Sequence, residues 1–123
     1  MFIRKVWGPP DQATMTTESV LDLPAMRAAS NRACALMRVM SNPDRLLLLC
    51  QLSQGERRVG ELEELLDIQQ PTLSQQLAVL REESLVTTRR DGKQVYYSID
   101  SRAALDVLNV LYAHFCSDEE NTQ

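Results

Sequence analysis

The 123 residues, 44% hydrophobic and 24% charged, suit one folded domain with one modest core. No apolar run reaches the roughly 20 residues of a membrane-spanning helix, and a net charge of −4 excludes a uniformly basic nucleic-acid binder, leaving room only for cations gathered locally. Three cysteines, with no apolar leader in MFIRKVWGPPDQAT, point to a cytoplasmic chain whose thiols are reduced and serve as core residues, metal ligands or redox sensors.

Residues 1–23 read as a weakly ordered extension, because Gly8-Pro9-Pro10 blocks regular structure and Thr14 to Glu18 is largely polar. The folded domain is expected over residues 24–117, followed by an acidic tail, 118–123, that opens with Asp118, Glu119 and Glu120. Pro24 to Met40 has the helical stripe Met26, Ala29, Ala33, Leu36, Met37 and Met40, with Cys34 near its edge. Asn42 and Pro43 are an N-cap and first-turn pair for a second helix stopping at Gly55. Leu46 to Cys50 is apolar nearly all round, so that helix is expected to be central and buried. Val59 to Leu66 makes a short third helix with Leu62, Leu65 and Leu66 inward.

After the turn Asp67-Ile68-Gln69-Gln70, Pro71 opens a fourth helix that ends near Glu83-Ser84. Leu73, Leu77, Val79 and Leu80 share its apolar face. What remains is Gln70 before the helix and Thr72, Ser74, Gln75 and Gln76 on it, uncharged hydrogen-bonders of short or medium reach. In a major groove, Gln pairs with adenine and Thr touches a thymine methyl. Next come two strand-like runs, Val86 to Arg90 and Gln94 to Ile99, around a hairpin tip at Asp91-Gly92. Arg89, Arg90 and Lys93 give that tip cations for phosphate contacts or a minor groove. A polar helix face alone is ordinarily a solvated face, and a basic tip alone merely solubilises. Their succession behind a third helix makes DNA binding the stronger reading. Asp100 or Ser101 caps a last helix, Arg102 to Cys116, whose Leu105, Leu108, Val110, Leu111, Tyr112 and Phe115 exceed what one flank of a small domain needs. A dimer interface formed by the first and last helices would use that excess. The expected fold is mainly α with a two-stranded β-wing, a winged helix-turn-helix of order ααααββα.

The blocks MSNPDRLLLLCQL, VGELEELLDI, QPTLSQQLAVLREESLV and RRDGKQVYYSI occur in order, and from about Ala33 to Cys116 the chain resembles the ArsR/SmtB bacterial repressors. The resemblance implies a homodimer bound to a palindromic double-stranded operator, each reading helix in one half-site, with half-sites about 34 Å apart. Two positions depart from the pattern. Gln76 stands where many members have His, which alters groove contacts. Ser84 stands where many have Gly; it either takes positive φ at a cost of about 1 kcal/mol or the turn is reshaped.

RLLLLCQLSQG and QPTLSQQL look closest to the sulfide- and persulfide-responsive, BigR/SqrR-like subgroup. That resemblance implies a redox-sensing pair, Cys50 and Cys116, reduced on DNA and bridged by a disulfide or a longer sulfur chain when reactive sulfur species act as inducer. No cofactor and no bound metal are expected. The alternative is a metal-responsive repressor. The third helix has no cysteine and His114 is the sole histidine, with Asp106 two turns away, so a zinc site would have to gather Cys50, Cys116, His114 and a carboxylate. A winged helix used for protein contacts is a further alternative. An enzyme is not expected: there is no Cys-x-x-Cys, and His114 lies two residues from Cys116 on a helix, where the two do not face each other. Cys34 fits no motif and reads as a packing residue.

Overall fold

The computed structural model describes residues 22–116. The extension expected over residues 1–23 and the acidic tail over 118–123 fall outside them, apart from Asp22 and Leu23. The chain divides into two compact units between Met37 and Arg38.

Helix α1 spans Leu23–Met40. Its first turn is capped by Asp22, whose carboxylate accepts the Ala25 N–H at 3.2 Å. Leu23, Met26 and Met37 along it are exposed, and so is Cys34.

The second unit is built on α2, Pro43–Leu52. Asn42 caps it as expected, its side-chain oxygen accepting the Arg45 N–H at 3.0 Å, with Pro43 in the first turn. Leu48, Leu49 and Leu52 are buried, and they meet fully buried Leu62 of α3 (Val59–Leu66) and Leu73, Leu77 and Leu80 of α4 (Thr72–Glu82) in one apolar core. The expectation that Leu46 to Cys50 is buried all round needs correcting. Leu47 is 47% exposed and Cys50 is open to solvent. Residues 47 and 50 share a face one turn apart, and a single chain does not cover it.

The wing is larger than expected by one strand. β2 (Val86–Asp91) and β3 (Gln94–Ile99) pair antiparallel, and Arg57–Arg58, β1, adds to the other edge of β3, giving the order β1-β3-β2. β1 has only two residues, opposite Tyr97 and Tyr96, too few for any alternation to show in the sequence. The hairpin loop is Gly92-Lys93 rather than Asp91-Gly92: Asp91 still pairs with Gln94, and Gly92 takes φ 66°. Positive φ at the first loop residue is the type II′ arrangement that glycine favours and that matches the strands' twist. Ser101 caps α5 (Arg102–Leu111), accepting the Ala104 N–H at 3.1 Å. The expected α-helix to Cys116 stops at Leu111. Tyr112–Cys116 form a wider π-helical turn, so the orientations of His114, Phe115 and Cys116 do not follow the 3.6-residue period.

The Leu residues of α4 meet β2 through a tight C-terminal motif. Ser84 N–H donates to Arg81 C=O at 3.0 Å and Leu85 N–H to Leu80 C=O at 2.9 Å, while Ser84 holds φ 64°. A non-glycine residue is strained there by about 1 kcal/mol. Ser84→Gly is therefore expected to raise unfolding stability by up to about 1 kcal/mol, read from the urea midpoint at unchanged slope; a lower midpoint would mean that Ser84 gains more from its side chain than it loses in strain.

Candidate functional site

One surface carries the recognition candidates. α4 buries Leu73, Leu77 and Leu80, and the same helical period turns Thr72, Ser74 and Gln75 to solvent, with Gln70 exposed just before the helix. The side chains of Thr72 and Gln75 form no hydrogen bond among the described residues. Ser74 Oγ donates to Gln70 Oε1 one turn back, which holds both against the start of the helix. Gln76 is half-buried. Its Oε1 accepts from Arg45 Nη1 at 2.9 Å, and Arg45 Nε donates to the Val39 carbonyl at 2.8 Å. One guanidinium thus ties the α1–α2 junction to α4, a pairing across 31 positions that no local pattern signals.

The three wing cations differ. The side chains of Arg90 and Lys93 are exposed and form no hydrogen bond or ion pair among the described residues. Arg89 is bound on two sides. Its Nε and Nη2 donate to the two carboxylate oxygens of Glu56 at 2.7 and 2.8 Å, and its guanidinium lies 4.5 Å over the Tyr96 ring. The Arg89 hydrogen bond, aided by its charge and by Ser98, holds the Glu56 carboxyl below its ordinary range, and Glu56 in turn pushes the Arg89 guanidinium up. Glu56 was not legible as a site residue: it lies 33 positions from Arg89, in a polar loop.

The cysteines form the other candidate group. All three described cysteines are free and exposed. Cys50 sits on the uncovered face of α2 and Cys116 at the end of the π-helical turn. Partial burial pushes the Cys50 thiol above its ordinary value, and the charge of an ionised Cys116 pushes it further. No cysteine pair stands at disulfide distance. Among the described residues, no three His, Cys, Asp or Glu side chains gather as a metal site would require. No described helix is long and apolar enough to cross a membrane.

Residues 42–88, the second helix through the first wing strand, match the family model described as bacterial regulatory protein, arsR family. The chain is 50% identical over 101 residues to the biofilm growth-associated repressor of Agrobacterium fabrum, covering 82% of this chain and 86% of that protein. It belongs to the ArsR family. Among solved structures, the repressor BigR from Xylella fastidiosa is 46% identical and superposes with a TM-score of 0.71 over 76% of this chain and 95% of that one. The homodimeric winged helix-turn-helix domain of Mb0332 from Mycobacterium bovis, 26% identical, superposes at 0.64 over 77% of this chain and 86% of that one. The winged helix-turn-helix of this chain is thus the fold of its family, and BigR-type members are among its near relatives.

Removing the Cys116 charge is expected to lower the Cys50 pKa. In Cys116→Ser, the pH midpoint for alkylation of Cys50 by iodoacetamide should fall relative to the wild type while staying above that of an ordinary thiol, because burial remains. An unchanged midpoint would mean that the two thiols are electrostatically independent.

Proposed function

We propose that this chain is an operator-binding transcriptional repressor, homodimeric on DNA, released when Cys50 and Cys116 are bridged by reactive sulfur species. The observation that carries the release mechanism is the pair of free, exposed thiols, one on the central helix α2 and one at the end of the last helical segment. The 50% identical repressor from Agrobacterium fabrum supports the regulatory role.

In this reading Thr72 and Gln75 meet base edges in the major groove, with Gln70, Ser74 and Gln76 at the margins of that contact. Arg90 and Lys93 approach phosphates from the wing. The exposed apolar residues Leu23, Met26 and Met37 of α1, and Val110, Tyr112 and Phe115 after it in the chain, are the kind of surface a second copy covers. The homodimeric Mycobacterium bovis relative supports that assembly.

The sulfur chemistry balances with a persulfide, RSSH, as oxidant. One cysteine thiolate attacks the outer sulfur, RSH leaves, and the cysteine becomes a persulfide. The second thiolate attacks the cysteine-bound sulfur and expels hydrosulfide. Two thiols and one RSSH yield a disulfide, RSH and hydrogen sulfide. Each further sulfur in the bridge consumes one more RSSH and releases one more RSH. A direct disulfide requires Cα atoms about 4.4–6.8 Å apart, so a longer chain needs less movement. Either bridge pulls the end of the last helical segment toward α2 and changes how the two reading helices are spaced for half-sites roughly 34 Å apart.

The testing experiment is operator binding by the wild type and single variants, before and after a persulfide donor. Cys50→Ser and Cys116→Ser are each expected to bind the operator and to stay bound under the donor; release of either variant would contradict the paired-thiol mechanism. Gln75→Ala should weaken specific binding more than non-specific binding, and Arg90→Ala should weaken both and lower the salt slope by about one. Equal losses on all sequences from Gln75→Ala would remove it from base reading. Sedimentation should give a dimer without added metal.

A further inference from the structure

The β2–β3 hairpin carries three basic side chains, and one of them, Arg89, is already held by a carboxylate and a ring. The guanidinium fork of Arg89 is filled by both oxygens of Glu56, its face covers Tyr96, and Ser98 Oγ stands 3.5 Å from the same carboxylate. A phosphate could use only the remaining N–H groups of Arg89, beside a carboxylate that repels it. A surface ion pair of this kind adds little to stability. Two parallel hydrogen bonds and a stacked ring do, however, fix an orientation.

What they orient follows from the sheet. β1 supports β3 at Tyr97 and Tyr96 and extends no further. Beyond Tyr96 the hairpin runs to Gly92-Lys93 as a two-stranded ribbon, which by itself holds its shape poorly. Arg89 lies directly opposite Tyr96, at the last three-stranded level. Its partner Glu56 follows the turn at Gly55, which takes φ 147° where α2 gives way to β1. The pair therefore ties the base of the free ribbon to the loop leaving α2. Arg89 and Arg90 point to opposite faces of the sheet, so the tie leaves Arg90 unengaged.

We infer that Arg89 is a positioning residue, clamped by Glu56 and Tyr96 so that the wing meets DNA at a set angle, while phosphate contact falls to Arg90 and Lys93. This inference rests on the DNA-binding reading above. The wing's angle is then set from the end of α2, the helix that carries Cys50.

The experiment measures the affinity and salt slope of the full chain on the duplex that the wild type enriches from a pool of randomised duplexes. Arg89→Lys keeps the charge and loses the fork and the stacked plane. A clamp predicts that Arg89→Lys loses roughly fivefold to tenfold in operator affinity at unchanged salt slope, and that Arg89→Gln does the same. Glu56→Gln should also weaken operator binding, although it removes a negative charge. Arg90→Gln, by contrast, should lower the slope by about one. Wild-type affinity in Arg89→Lys, a slope lowered by about one in Arg89→Gln, or tighter binding in Glu56→Gln would each overturn the clamp and make Arg89 a phosphate contact, with DNA binding itself intact. Enrichment of no duplex by the wild type would overturn the DNA-binding reading and the clamp with it.

Discussion

The apolar seam between α2 and α4 is the constraint on which the rest of the second unit depends. Leu48, Leu49 and Leu52 on one helix and Leu73, Leu77 and Leu80 on the other are buried, and α2 also touches α3 and β3. Losing one such leucine to Ala would remove roughly 2–5 kcal/mol, a large part of the stability of a domain this size. Because the leucines of α4 must face inward, the helical period leaves Thr72, Ser74 and Gln75 facing out. That outward face, with its recognition candidates, is what the core does not use. The same seam fixes where β2 begins, since the Leu80–Leu85 turn that ends α4 delivers the chain directly to the wing.

Side-chain connections between distant elements start on α2 or just past its end. Arg45 near its start grips the α1–α2 junction and Gln76 of the reading helix. Cys50 lies on its uncovered face, and Glu56 just past its end holds Arg89 of the wing. α2 is thus buried on one face, open on the other, and joined near its two ends to α4 and to the hairpin. Partial burial pushes the Cys50 thiol above its ordinary value, so Cys50 is not by itself a strongly activated nucleophile.

Much of this was legible in the sequence, for physical reasons that can be named. Asn42-Pro43, Ser101 and the leucine spacing of α4 specify structure locally, through one cap or one period, and each forms as its local pattern implies. The positive φ of Ser84 was legible only through the family resemblance, which places Gly there in many members. Features that depend on distant pairing were not legible. β1 is two residues whose only signal is backbone pairing to Tyr96 and Tyr97. The Glu56–Arg89 and Arg45–Gln76 contacts join positions 33 and 31 apart, with nothing at either end to announce the partner. The one-residue shift of the hairpin tip followed from turn type, because Gly92 as first loop residue favours II′ over the I′ turn that Asp-Gly had implied. The openness of Cys50 was missed because four consecutive leucines hide which face of α2 one chain can cover.

The measurement that tests the central claim most directly is the mass of the reduced protein after exposure to a persulfide donor, with the modified peptides mapped. Paired-thiol sensing predicts loss of two free thiols per chain and a cross-link joining the Cys50 and Cys116 peptides, at the mass of a disulfide or with whole sulfur atoms added. Linkage through Cys34, or separate adducts on Cys50 and Cys116 with no bridge, would contradict it.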